Sequence, residues 1–138
     1  MLVRRSLPLA LLALLCLAGC GPPKAQTPGH YTLKATASCL KKSGLKVAEN
    51  PPDLDLVASS APAGALRSAR DKKTFLIIFG NTQEDSKLVV QGYERAAPSA
   101  KSRRRLRSLI DLEGNAVIYW QTEPDAAQAT DVRGCLRG

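Results

Sequence analysis

An apolar run of eleven residues, Leu7 to Leu17, stands near the start of this 138-residue chain, just behind Arg4 and Arg5. A helix that crosses a bilayer needs about 20 apolar residues, so this run is too short to span. A positive flank followed by a short apolar core is instead the pattern of a secretory signal peptide, which is removed and takes no part in the fold. Cutting after residue 19 leaves 119 residues, close to the commonest domain size. A chain of that length buries roughly two-thirds of its unfolded surface and makes one domain with a modest margin. The expected division is a leader over 1–19, a lipidated cysteine with a flexible tether over 20–31, and a single small domain over 32–138.

The residues that close the apolar run, Leu17-Ala18-Gly19-Cys20, resemble the lipobox of bacterial lipoproteins. That resemblance covers the first 20 residues. It implies cleavage between Gly19 and Cys20, a diacylglyceryl thioether on the Cys20 sulfur, and a position at the extracytoplasmic face of a membrane in the cell envelope. Two acyl chains make such an anchor stable, whereas one holds only weakly. Gly21 stands where some envelope lipoproteins carry an inner-membrane retention aspartate, and the choice between inner and outer membrane stays open. The Arg4-Arg5 pair is also similar to a twin-arginine export signal, in the two arginines alone.

The four cysteines are 16, 20, 39 and 135. Cys16 leaves with the leader and Cys20 is expected to carry lipid, so Cys39 and Cys135 are the thiols left in the domain. Outside the cytoplasm disulfides form and persist, and two thiols allow one intramolecular pairing. A Cys39–Cys135 bridge would tie the start of the domain to its end. The alternatives are a redox or a metal site. No Cys-x-x-Cys supports the first, and the second lacks ligands, since the lone histidine, His30, falls in the tether.

Hydropathy patterning predicts the order α-β-β-β-α-β-α, with one weak element in doubt. A short helix around Cys39 to Ser43 ends at Gly44, with Leu45 as its apolar contact. Leu45 to Glu49 reads as a strand stopped by Pro51 and Pro52, or Asn50-Pro51 opens a helical turn through Asp53 to Val57. Ala65–Arg70 and Thr74–Phe79 read as a hairpin around Asp71-Lys72-Lys73. The unbroken apolar run of the second strand suggests burial on both of its faces. Asn81 or Thr82, with Glu84 or Asp85, caps a helix that runs to about Ala97, with Leu88, Val89, Tyr93, Ala96 and Ala97 as its apolar face.

Residues 98–108 are basic and poorly patterned, and over 98–112 two readings stay open: a helical turn through Leu106, Leu109 and Ile110, or a strand over Leu109–Leu112 that pairs across Glu113-Gly114-Asn115. Ala116–Gln121 is a strand. Thr122-Glu123-Pro124-Asp125 reads as a capping box for a last helix over 123–136, facing inward through Ala129, Val132, Cys135 and Leu136. Without strict β-α alternation a parallel sheet is not expected. The expected class is α+β: a small two-layer sandwich of a mainly antiparallel sheet, three to five strands, with helices packed on one face. The first and last helices should lie side by side.

Four short motifs resemble small uncharacterised secreted proteins of actinobacteria: Cys39-Leu40, Phe79-Gly80, Gly114-Asn115 leading to Trp120, and Gly134-Cys135-Leu136. The resemblance implies no activity.

Catalytic constellations are sparse. A Ser–His–Asp triad needs a positioned histidine, and no Gly-x-Ser-x-Gly is present. Asp53/Asp55 and Glu84/Asp85 are the acid pairs that glycoside hydrolysis would need. The second pair is accounted for by a helix N-terminus and the first by a turn cap. Isolated glycines at 64, 80, 92 and 114 make no phosphate-binding loop, so no cofactor is expected. Tyr119 and Trp120 either fill core or line a pocket.

The chain's formal charge of +8 falls to +6 once Arg4 and Arg5 are removed with the leader. Five of the seven residues from Lys101 to Arg107 are basic: Lys101, Arg103, Arg104, Arg105 and Arg107. No aromatics interleave for base stacking, and the compartment expected for an exported chain argues against nucleic acid, so none is expected as a partner. Anionic lipid or wall polymer is the partner these cations suit, against the plainer reading of a solvated basic loop. The expected function is a non-catalytic binding or interaction module on the membrane. The alternative is an anchored cell-envelope hydrolase or transferase that uses carboxylates or a Ser–Lys pair.

Overall fold

The computed structural model describes residues 27–138; Cys16, Gly19 and Cys20, with the leader and lipobox expectations, lie outside the described residues.

Helix α1 (Leu33–Lys42) starts at Thr32, whose hydroxyl accepts from Ala35 N–H. It ends in the pair of bonds that the Gly44-Leu45 signal predicts. Gly44 N–H donates to the Lys41 carbonyl and Leu45 N–H to the Leu40 carbonyl. Gly44 takes φ +81°, which a side chain would resist.

Strand β1 (Lys46–Glu49) follows, then a single helical turn α2 (Leu56–Ser59) capped by Asp55, which accepts from Val57 and Ala58. Strands β2 (Ala65–Arg70) and β3 (Lys73–Phe79) form the expected hairpin. Its turn is two residues, Asp71-Lys72, because Arg70 pairs directly with Lys73. Helix α3 (Gln83–Ala96) carries the predicted capping box, with Thr82 and Asp85 each satisfying the other's backbone N–H.

Of the two readings of residues 98–112 the strand is found, and of the residues read as a helical turn only Leu106 is helical, Leu109 being the C-cap and Ile110 the first residue of the strand. Ala100–Ser108 is helix α4, capped by Ser99. Ile110–Glu113 is strand β4, paired across a Gly114-Asn115 turn with β5 (Ala116–Trp120). Helix α5 spans Ala126–Arg137. Its cap is Asp125, not Thr122: the Asp125 carboxylate accepts from Gln128 N–H at 2.7 Å, so the helix begins three residues later than the capping-box reading placed it.

The five strands make one antiparallel sheet in the order β1-β2-β3-β5-β4. With helices packed on this sheet, the α+β class is as expected. The helices, however, cover both faces rather than one. In β3, Phe75, Ile77 and Phe79 point into a core closed by α1 and α5, while Leu76 and Ile78 point into a second core closed by α2, α3 and α4. Side chains alternate across a strand, so an all-apolar strand exposes one hydrophobic row unless each face has its own cover. Each large side chain buried in this way contributes roughly 1.5–3 kcal/mol.

On the first face α1 and α5 lie side by side, joined by the Cys39–Cys135 disulfide with Cα atoms 5.4 Å apart. The inward residues expected for the last helix, Ala129, Val132, Cys135 and Leu136, are all buried. For α3 the inward face is Val89, Tyr93 and Ser86. Leu88, expected inside, is 60% exposed.

The N-terminal boundary also moves. Tyr31, placed in the tether by composition, is buried. Its N–H donates to Asn115 Oδ1, and its carbonyl accepts from Asn115 Nδ2 at 2.9 Å. The Gly29 carbonyl accepts from Asn115 N–H at 3.1 Å. Gly29 to Tyr31 are therefore part of the domain.

Candidate functional site: the cleft between α3, α4 and β4

Pro98 cannot continue α3, and it follows Ala97, whose extended backbone ends that helix. Ser99 restarts the chain by accepting from Ser102 N–H at 3.1 Å. The nine residues that follow are helix formers with one large apolar residue, Leu106, turned toward the second core. With so little apolar surface, α4 does not pack closely along α3. A cleft of about 380 Å³ remains between α3, α4 and the edge strand β4.

The walls of the cleft are Val90, Leu106, Ile110 and Leu112, and its rim is Lys87, Gln91, Glu94 and Arg107. Ile110 and Leu112 share one face of β4. Asp111, between them, faces the opposite core, where its Oδ2 accepts from Trp120 Nε1 and Arg133 Nη2, each at 2.8 Å. Arg107 Nε donates to Glu94 Oε1 at 2.7 Å and closes one side of the rim. That hydrogen bond holds the Glu94 carboxyl below its ordinary value, so the pair stays charged. Lys87 pairs with Glu84 at 2.7 Å.

The basic run maps onto α4. Arg107 is engaged by Glu94, and Arg103 leans back to the Ala97 carbonyl at 3.5 Å. Lys101, Arg104 and Arg105 are exposed on the side of α4 turned away from Leu106, and among the described residues none of them forms an ion pair. Their charge is held outward by the helix and is not spread along a loop.

The other residues singled out by sequence separate into structural roles. Asp55 caps α2 and accepts the Tyr93 hydroxyl at 2.9 Å. Asp53 receives Arg67, and that bond lowers its carboxyl's pKa. Glu84 and Asp85 sit in the first turn of α3. Trp120 is buried in the first core against Phe75, with ring centroids 5.1 Å apart. Tyr119 packs on Tyr93 in the second core at 4.9 Å. His30 is exposed. Cys39 and Cys135 are consumed by the disulfide. Among the described residues no group of three or more His, Cys, Asp or Glu side chains is placed to hold a metal ion. No described helix is long and apolar enough to cross a membrane.

Sequence reasoning placed the cations but missed the cleft. Val90 and Glu94 come from α3, Leu106 from α4, and Ile110 and Leu112 from β4, and no local pattern brings them together. The one available signal was Leu106 followed four residues later by Ile110, after the Ser99 cap.

Compared with protein-family models, curated proteins and solved structures, the chain matches none.

Proposed function

We propose that the chain is the precursor of a lipid-anchored envelope lipoprotein, whose domain works as a binding module through the α3–α4–β4 cleft. The observation that carries this reading is the Cys39–Cys135 bridge. Such a bond persists where the chain has left the reducing cytoplasm. It also leaves Cys20 as the thiol of the mature protein still open to acylation, at the residue where the Leu17-Ala18-Gly19-Cys20 pattern ends. The cleft supports binding over catalysis. Its walls are apolar, and its rim charges Arg107 and Glu94 neutralise each other instead of standing poised for proton transfer. An apolar cleft with polar groups at its rim suits an amphipathic ligand.

The test is made in cells. Protein labelled with an alkyne analogue of palmitate should carry the label, fractionate with membranes, and give an intact mass matching a chain that begins at diacylglyceryl-Cys20. Cys20→Ser should lose both label and membrane association. Native protein with an unmodified thiol at residue 20, or with its first nineteen residues retained in the cytosol, would overturn the reading.

A further inference from the structure

Three large apolar side chains stand well out in solvent among the described residues: Leu56 at 85% exposure, Leu88 at 60% and Leu112 at 40%. All three belong to the same side of the sheet. Leu56 and Leu88 lie on α2 and α3, both of which pack on the second core, and Leu112 lines the cleft beside them. Leu56 and Leu88 also flank one seam. Val57 lies close enough to Gly92 that a Cβ there would meet its Cγ1 at 3.2 Å, and Gly92 is one helical turn beyond Leu88. The unpaired cations Lys101, Arg104 and Arg105 project from α4, the third helix of this layer.

The charge balance agrees. Over residues 83–108, which hold α3 and α4, seven Lys and Arg side chains face three Asp and Glu. In the opposite layer Arg70, Arg133 and Arg137 are paired with Asp131, Asp111 and Glu113 while Lys34 and Lys42 on α1 stand exposed, and what that layer lacks, among the described residues, is an exposed large apolar side chain.

We infer that the outer surface of α2, α3 and α4 docks flat on an anionic phospholipid bilayer, with Leu56 and Leu88 entering the headgroup boundary and Lys101, Arg104 and Arg105 on the phosphates. This deepens the proposed function and rests on its placing the domain beside a membrane. Six residues separate Cys20 from Thr27, where the described chain begins, and the seven steps between them reach at most about 25 Å. The nearest large anionic partner is therefore always the bilayer. Apolar side chains interleaved with cations are what an interfacial surface requires, since each kind of contact alone binds weakly. A soluble polyanion such as a wall polymer would use the cations and ignore the leucines, and it is disfavoured on that ground.

The test uses the unlipidated mature chain, residues 20–138 with Cys20→Ser, so that flotation with vesicles reports the face alone and not the anchor. It should float with vesicles of phosphatidylcholine and phosphatidylglycerol, and not with phosphatidylcholine alone. Arg104→Gln with Arg105→Gln should reduce partitioning by about 25-fold, about fivefold per charge. Leu56→Ser with Leu88→Ser should reduce it at least about threefold. All four residues are exposed, and circular dichroism should show both variants folded. Absence of flotation, or equal flotation with neutral vesicles, overturns the proposal. So does a leucine variant that binds like the parent while soluble polyphosphate competes, which would mark a polyanion site. Acylation of Cys20 without vesicle binding defeats the face alone; vesicle binding with an unmodified Cys20 defeats the anchor alone.

Discussion

Asn115 and Tyr31 are bonded twice, 84 residues apart in the chain. Tyr31 N–H donates to the Asn115 side-chain oxygen, and the Asn115 amide returns a bond to the Tyr31 carbonyl and gives its other hydrogen to Gly80 O at 2.7 Å. Asn115 is buried, and its side chain holds the entering segment, the end of β3 and the β4–β5 turn together. Asn115→Ala strands three buried backbone groups, each costing about 1–3 kcal/mol when left unpaired. The expected loss is about 3 kcal/mol or more, read from urea unfolding. Asn115→Asp should be no better, because a carboxylate cannot donate to Tyr31 O and Gly80 O.

The Cys39–Cys135 bond closes a sequence separation of 96 residues. Chain entropy assigns such a loop about 4–5 kcal/mol of stabilisation through the unfolded state. Reduction, or Cys39→Ala with Cys135→Ala, should lower the unfolding free energy by about that amount, read from the shift of the urea midpoint. The α1–α5 packing is made of apolar side chains that survive the change, so near-native circular dichroism should persist in the absence of denaturant. A reduced domain as stable as the oxidised one would show that the bridge constrains nothing.

The parts of this fold legible from sequence are those settled within one or two turns of chain. Thr82 and Asp85 satisfy each other three residues apart, and Gly44 with Leu45 closes α1 in the same local way. What was not legible is decided by partners far away. Leu88 and Val89 are adjacent on α3, and only the position of Tyr119 and the sheet decides that Val89 turns inward. Residues 100–108 carry a single inward apolar residue, Leu106, so no period announces α4. Thr122 and Asp125 can each cap a helix. Asp125 takes that role in a turn where its other oxygen also accepts from Lys73 at 3.1 Å, a residue 52 positions away. The apolar run Phe75 to Phe79 of β3 held the information that both sheet faces are covered; which helices supply the second cover required α4. The cleft was out of reach for the same reason, being what remains where α4 packs lightly.

Tyr93 should make the domain sensitive to base. Burial first, and then its hydrogen bond to the Asp55 carboxylate, push the phenol well above its ordinary value of 10.0. A group whose pKa is raised by folding gives its full stabilisation below the unfolded value and loses it as the pH rises beyond. Stability should therefore be level in Tyr93 up to about pH 10 and fall above it, since the unfolded phenol ionises there and the folded one does not. Tyr93→Phe should cost about 1 kcal/mol at neutral pH for the lost hydrogen bond, and should flatten the alkaline fall. An ultraviolet titration in which every tyrosine ionises before the fold opens would contradict this.

Asp111 offers the sharpest local test, because the chain's one tryptophan reports on it. Its Oδ2 accepts from Trp120 Nε1 in the first core and from Arg133 on α5, tying edge strand β4 across β5 to the helix beyond. Asp111→Ala removes the acceptor from a part-buried indole N–H and leaves Arg133 half-exposed without that partner. Together these should cost about 1–3 kcal/mol, most of it from the stranded indole. Asp111→Asn keeps a carbonyl oxygen for the indole and loses only the ion pair, which is partly exposed and worth at most about 1 kcal/mol. Trp120 emission should shift in the alanine variant and stay in place in the asparagine variant, with unfolding midpoints ordered parent, asparagine, alanine. Equal losses in the two variants would mean that the Arg133 ion pair, and not the indole hydrogen bond, holds β4 to the sheet.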